Sequence, residues 1–271
     1  MQNGNRLKGN TSWRGAFMSP FDGVALSLQA RSLWAKTGGG EKRNLWSPLY
    51  VHMADSACVA RKLWDEWLSE SAKRFIADSV NDDEDAASAL VAWLAGVHDI
   101  GKATPGFQYK VLERAELVEE MGLRVPRSHM MNRPPSHANM GEVLLENWLD
   151  ERGWDYSRMF GSIVGAHHGS PPSEGAILED IKVRSESFPI ENLGDGEWSS
   201  LQEELLSWLF EATGMVEHEP LFRTLAIPRS TQVLLSALVI MSDWIASNSD
   251  FFPLISHVGD QSEFLSRADE A

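Results

Sequence analysis

The chain of 271 residues has a single cysteine, Cys58, so no disulfide can form within it. It is also short of cations: Lys and Arg total 24 against 39 Asp and Glu, a formal charge of -15. That balance repels a polyanion unless something local reverses the sign. No charged-then-apolar segment opens the sequence, and the longest apolar run, near Val233 to Ile240, is too short to span a bilayer. The expected setting is therefore a reducing cytoplasm, with no membrane partner. Alternating strand series and internal repeats are also lacking.

What remains reads as helix. "SPLYVHMADSACVARKLWDEWL", from Ser47, opens on Ser-Pro and carries apolar residues at helical spacing. "DAASALVAWLAGVHDIG" places Leu90, Trp93, Leu94 and Val97 on one face before Gly101 ends the helix. "SHANMGEVLLENWL" takes Ser136 as its cap. "YSRMFGSIVGAHHGSPP" stops at Gly169 and a proline pair, and "EWSSLQEELLSWLFEATG" is amphipathic. "STQVLLSALVIMSDWIAS" is apolar on all sides and is expected at the centre. The expected fold class is all-α, with residues 1–30 as a peripheral extension and residues 31–271 as one domain. The acidic "VNDDEDA" reads as a surface turn, and the stretch from Glu174 to Trp198 as a long connection. Trp64, Trp67, Trp93, Trp148, Trp208 and Trp244 fall in helical patterns and are expected in the core, leaving Trp46 and Trp154 freer.

The stretch "GVHDIGKA" comes within one residue of a phosphate-binding loop of the G-x-x-x-x-G-K-[ST] type. That loop follows a buried strand and needs a hydroxyl for magnesium. Here the first glycine closes a helical pattern and Ala103 occupies the hydroxyl position. The alternative is a pair of metal ligands, His98 and Asp99, at a helix end. Of the eight histidines, His52, His98, His137, His167 and His168 fall in or beside predicted helices among small or apolar neighbours. Asp243 lies in the most apolar helix, where a lone charge is costly unless paired with an arginine such as Arg223 or Arg229, or bound to metal. His52, His98, Asp99, His137, His167, His168 and Asp243 suffice for two cations if Asp99 bridges them. Imidazole with carboxylate suits Fe, Mn, Co, Ni or Zn better than Mg or Ca. Two such ions a few ångströms apart can activate a water and clamp a phosphodiester. Without metal, Asp99 and Asp243 are expected to crowd each other, raising the pKa of one.

The order His52, "HDIGK", "SHANMGEVLL", "GAHHG" and "SDWIAS" resembles the HD superfamily of metal-dependent phosphohydrolases. More narrowly, "LWAK", "SPLYVHMADSACVA", "GVHDIGKATPGFQ" and "HHGSPP" resemble the HD nuclease domain of the CRISPR-associated type I helicase-nuclease, over about Leu33 to Phe252. The resemblance implies a compact helical fold with a dinuclear centre and endonuclease cleavage of single-stranded DNA. It also implies an RNA-guided surveillance complex that recruits the enzyme and a helicase motor, in the same or a separate polypeptide, that feeds the strand. By motif, His52, His98, Asp99 and Asp243 hold one ion, and Asp99, His137, His167 and His168 the other. Asp99 and Lys102 carry the catalytic roles, Lys102 leaning toward the scissile phosphate or orienting the acidic ligand. Ser242 and Ser247 stand behind the ligands, while His129, His218 and His257 match no ligand position. No helicase motor motif follows, as expected either of a stand-alone nuclease subunit or of a domain separated from its motor. Two other readings stay open: a phosphohydrolase of nucleotides or cyclic dinucleotides, and a non-catalytic module that metals merely stabilise.

Overall fold

Twelve consecutive residues of the first long helix, Leu49 to Ala60, are buried without a break, and Ala86 to Val97 of another are buried in the same way. These two form the centre of a helical body, seen in a computed structural model that describes residues 26–42, 44–125, 135–185, 193–194 and 196–255. In chain order the helices are α1 (Leu28–Ser32), α2 (Leu49–Lys62), α3 (Glu70–Ala77), α4 (Glu84–Val97), α5 (Pro105–Gln108), α6 (Leu112–Glu120), α7 (His137–Glu151), α8 (Ser157–Gly165), α9 (Glu174–Ser185), α10 (Gly196–Ala212), α11 (Met215–Phe222) and α12 (Arg229–Ala246). A π turn, Leu63–Trp67, extends α2.

Small residues explain the central pair. α4 is rich in alanine, and its Gly96 faces Ala57 of α2 and Leu209 of α10 so closely that an added Cβ would stand 3.3 Å and 3.0 Å from them. Asp83 caps α4 by accepting from Ala86 N at 2.9 Å, which places the acidic turn at the helix start. Around α4 pack α2, α3, α8, α10, α11 and α12. α7 pairs with α8 and lies across the 3-10 turn Ile100–Lys102 that follows α4.

Several expectations change. Two short antiparallel strands, β1 (Trp34–Thr37) and β2 (Trp46–Pro48), form a hairpin and are the only named strands among the described residues. Residues 1–30 are expected at the periphery, yet Leu26 and Ala30 are buried, and Ser27 Oγ donates to Glu204 of α10 at 2.7 Å. The expected open connection begins as α9. α12 is not central: Val233 is 70% and Trp244 71% exposed. Its apolar residues cover both faces, but among the described residues only one face packs on the other helices. The tryptophans partly exchange places, with Trp67 and Trp244 outside and Trp46 and Trp154 buried. Trp67 stands on the π turn, where the helix period is lost, whereas Trp154 is enclosed by Trp93, Phe160 and Phe222. Among the described residues, no helix is long and apolar enough to cross a membrane.

Candidate metal centre

α2 carries His52 at the end of its first turn, and α4 runs out at Val97, so His98 and Asp99 emerge beside it with almost no exposure. His98 Nδ1 donates to the Ala95 carbonyl at 2.6 Å, a bond within one helical turn that fixes the ring and turns Nε2 the other way. At the far side, α8 passes into a 3-10 turn, Ala166–His168, ended by Gly169 in the left-handed region (φ 112°). His167 repeats the device: its Nδ1 donates to the Val164 carbonyl at 2.8 Å. His137 is the first residue of α7, and Asp243 sits in the last turn of α12.

The seven side chains converge in two groups. His52, His98, Asp99 and Asp243 form one, and His137, His167 and His168 the other, each group offering ligand atoms within 4.8 Å of one another. Asp99 faces both. Its Oδ2 lies 3.1 Å from His52 Nε2 and 3.3 Å from His98 Nε2, and its Oδ1 lies 3.5 Å from His137 Nε2 and 3.8 Å from His167 Nε2. Asp243 Oδ1 lies 3.3 Å and 3.4 Å from the Nε2 atoms of His52 and His98. In the second group, His137 Nε2 stands 2.9 Å from His168 Nε2 and 3.3 Å from His167 Nε2.

This arrangement asks for cations. The Nε2 atoms of His52 and His98 are buried with no hydrogen-bond partner, although each faces carboxylate oxygens. Burial alone would push His98 down, but Asp99 and Asp243 outweigh it and raise it to about 10. Burial depresses His137 to about 3 and His167 to about 4, so these rings are neutral, as metal ligands must be. Burial opposes charge on Asp99 and Asp243, yet both lie below the ordinary carboxylate range: Lys102 and His98 hold Asp99, and His52 and His98 hold Asp243. The expected crowding of the two carboxylates is therefore overturned, because cationic and imidazole groups stand between them. The donor set fits divalent transition ions, with nitrogen and carboxylate oxygen arranged for either one or two of them.

Lys102 Nζ lies 2.5 Å from Asp99 Oδ2, so it is engaged with the acidic residue at the centre. Ser247 Oγ donates to Asp243 Oδ1 at 2.9 Å, whereas Ser242 bonds the Leu238 carbonyl and takes no part. Arg223 pairs with Glu219 rather than Asp243. His218 lies 3.8 Å from Asp83, and His129 and His257 lie outside the described residues.

Three supporting residues escaped the sequence reading. Asp180 of α9 accepts from Ser136 N at 3.1 Å and Asn139 Nδ2 at 2.7 Å, capping α7 where the Ser136 side chain makes no cap bond. Buried Gln108 donates to the carbonyls of Lys102 and Trp34, both at 2.9 Å, tying the Lys102 turn to β1. Lys36 of β1 donates to the Ser247 carbonyl at 2.7 Å, holding the end of α12 beneath Asp243. Asp180, Lys36 and the Gln108 bond to Trp34 act across long sequence separations, so local pattern assigns none of these roles, although Lys36 and Gln108 end the quoted stretches "LWAK" and "GVHDIGKATPGFQ".

Fold and site together define a helical domain of the HD superfamily, with a histidine-aspartate cluster formed where several helices end. The chain belongs to the Cas3 HD-domain family, matching the description "Cas3, HD domain" over residues 34–252. It is 35% identical over 242 residues to the CRISPR-associated nuclease/helicase Cas3 of Streptococcus thermophilus, covering 82% of this chain and 25% of that one. The crystal structure of the Thermus thermophilus Cas3 HD domain in the presence of Ni2+ is similar at a TM-score of 0.60 and 25% identity, covering 89% of this chain and 86% of that one. A CRISPR RNA-guided surveillance complex, pre-nicking, contains a chain similar at a TM-score of 0.61 and 26% identity, with 90% and 28% covered. The chain spans about a quarter of the length of the curated relatives it matches.

Proposed function

We propose that the domain is a metal-dependent endonuclease that hydrolyses phosphodiesters of single-stranded DNA in type I CRISPR interference. The observation that carries this reading is Asp99, whose two carboxylate oxygens face two separate ligand clusters. His52, His98, Asp99 and Asp243 would hold one divalent ion and Asp99, His137, His167 and His168 the other, Fe, Mn, Co or Ni suiting the donors better than Mg, with Zn also compatible. Ions bound there supply Lewis-acid activation of water and neutralise charge on a phosphodiester.

The protein's own groups do the positioning. The Ala95 and Val164 carbonyls fix the His98 and His167 rings, Ser247 orients Asp243, and Lys102 holds Asp99 at the oxygen facing the first cluster. Similarity to nuclease/helicase relatives supports a helicase motor as partner, in cis or in trans. Similarity to a chain of a surveillance complex supports RNA-guided recruitment. The domain is taken as residues 31–271 together with Leu26 to Ala30, whose buried side chains join its core.

Incubating the chain with circular single-stranded DNA and a panel of divalent metals tests the reading. Metal-dependent conversion of circles to linear and shorter products is expected. Consumption of linear ends only, or of mononucleotides only, would defeat it.

A further inference from the structure

A row of cations borders the cluster on one side, in a chain whose overall charge is strongly negative. Phe107, on α5, packs its ring edge-on to His137 at 5.6 Å between centroids. The same ring meets Trp34 at 4.5 Å, and with Trp46 these rings form a small apolar cluster apart from the main core. Cations stand over this aromatic ledge. Lys110 Nζ lies 4.4 Å from the Phe107 centroid, and Lys102 Nζ lies 5.5 Å from the same ring. The Arg114 guanidinium lies 4.7 Å over Trp46 and donates to the Asn44 carbonyl at 3.2 Å.

These cations differ in what they already hold. Lys102 is engaged by Asp99, and Arg114 is partly offset by neighbouring Glu113. Lys110 is exposed, and among the described residues its ammonium group makes no ion pair or hydrogen bond; Lys102 repels it through space and Asp99 attracts it. Two ammonium groups on one ring repel each other unless an anion comes between them. Among the described residues, the exposed one has the aromatic support but no anion in contact with it.

We infer that the ledge of Phe107, Lys110 and Arg114 receives the sugar-phosphate backbone of the substrate strand, with Lys110 contacting a phosphate next to the one that is cut. This rests on the nuclease reading and supplies what the net charge withholds: a local reversal of sign beside the centre. Lys110 and His137 both meet the Phe107 ring, which puts Lys110 beside the ligand cluster and not in it, and its part is to bind the strand without touching the reacting atoms.

The test compares wild type, Lys110→Ala, Lys110→Arg and Arg114→Ala on circular single-stranded DNA with Mn2+, between about 50 and 200 mM salt. Lys110→Ala should raise KM about 3- to 10-fold while leaving kcat within about twofold, since it removes a contact made equally in ground and transition states. The slope of log(kcat/KM) against log salt should become shallower by about 0.7, the value for one phosphate contact on a single strand. Lys110→Arg should restore the slope, and Arg114→Ala should show a smaller change. An unchanged KM and slope in Lys110→Ala would overturn the inference, as would loss of bound metal or a lowered melting temperature, which would make Lys110 a structural residue. In parallel, a fluorescent oligodeoxynucleotide is titrated by anisotropy in EDTA. If wild type cuts nothing, the nuclease reading fails. The ledge then stands if Lys110→Ala still flattens the salt dependence of binding, and falls if it does not.

Discussion

Gly101 packs directly on the backbone of His137: a Cβ at Gly101 would stand 1.9 Å from the His137 carbonyl oxygen and 2.5 Å from Gly141 N. The contact joins the turn that carries Asp99 and Lys102 to the helix that begins with His137. Backbone cannot yield as a flexible side chain does, so Gly101→Ala must separate the two elements. The expected cost is about 1–3 kcal/mol, which lowers the melting temperature by roughly 2–4 °C per kcal/mol for a domain of this size. Metal held on the His137 side should be lost first. Gly141→Ala meets Gly101 N at 3.3 Å and should be milder. Melting curves with elemental analysis decide the point, and a Gly101→Ala protein that melts and binds metal like wild type would remove it.

The same glycine shows where sequence reading reaches its limit. A glycine after a helical run ordinarily marks the stop, and Gly101 reads that way, but its need is steric and comes from a helix 36 residues later in the chain. The long helices were legible because apolar residues repeat at helical spacing. The seven histidine and aspartate residues stood out because each lay in or beside such a helix where charge or imidazole is costly. The outer face of α12 was not legible, since periodicity reports which residues align and not whether a neighbour covers them. Asp180 and Gln108 were missed for a related reason: Asp180 bonds the Ser136 backbone and Gln108 the Trp34 backbone, both far away in the chain.

Lys102 and Asp99 form the tightest ion pair of the centre, with Asp99 almost fully enclosed. Lys102→Ala leaves that carboxylate short of one cation. In metal-free protein the loss should be about 1–3 kcal/mol, typical of a hydrogen bond to a charged group. Added Mn2+ should narrow the melting difference from wild type, because bound metal restores positive charge beside Asp99. Cleavage should fall about 10- to 100-fold, as for other groups that orient a metal ligand. If the metal-free protein melts as wild type and cleavage is undiminished, Lys102 is an ordinary surface lysine.

Glu142 gives a pH dependence unrelated to the ligands. It is 3% exposed on α7, its Oε2 has no hydrogen-bond partner, and burial, then Glu146, raises it from 4.5 to about 7. A folded-state pKa above the unfolded value means that the native state keeps a proton the unfolded chain has released. Stability therefore falls as pH rises from about 4.5 through about 7 and levels off above. Glu142→Gln removes the titration while keeping the shape. Relative to wild type, the variant should gain stability on moving from acidic to mildly alkaline buffer. Denaturant unfolding on both sides of the window measures this, and an unchanged difference between the proteins would mean that Glu142 is solvated in the native state.

The two-cluster geometry makes an asymmetric prediction about metal content. His168 belongs only to the group with His137 and His167, and Asp243 only to the group with His52 and His98, while Asp99 faces both. Anaerobically loaded wild type should hold close to two transition ions. His168→Ala should lose one of them, and because His168 is exposed its metal-free melting should match wild type. Asp243→Asn should lose the other, with cleavage down at least about a hundredfold. It should also destabilise the metal-free protein, because Asp243 is the carboxylate that His52 and His98 share with Asp99. Asp99→Asn should lose both. Elemental analysis of the three variants separates the possibilities: one ion in wild type, unchanged in His168→Ala, would defeat the dinuclear reading. Loss of both ions from His168→Ala would show that the clusters fill as a single cooperative unit instead of two sites joined by one carboxylate.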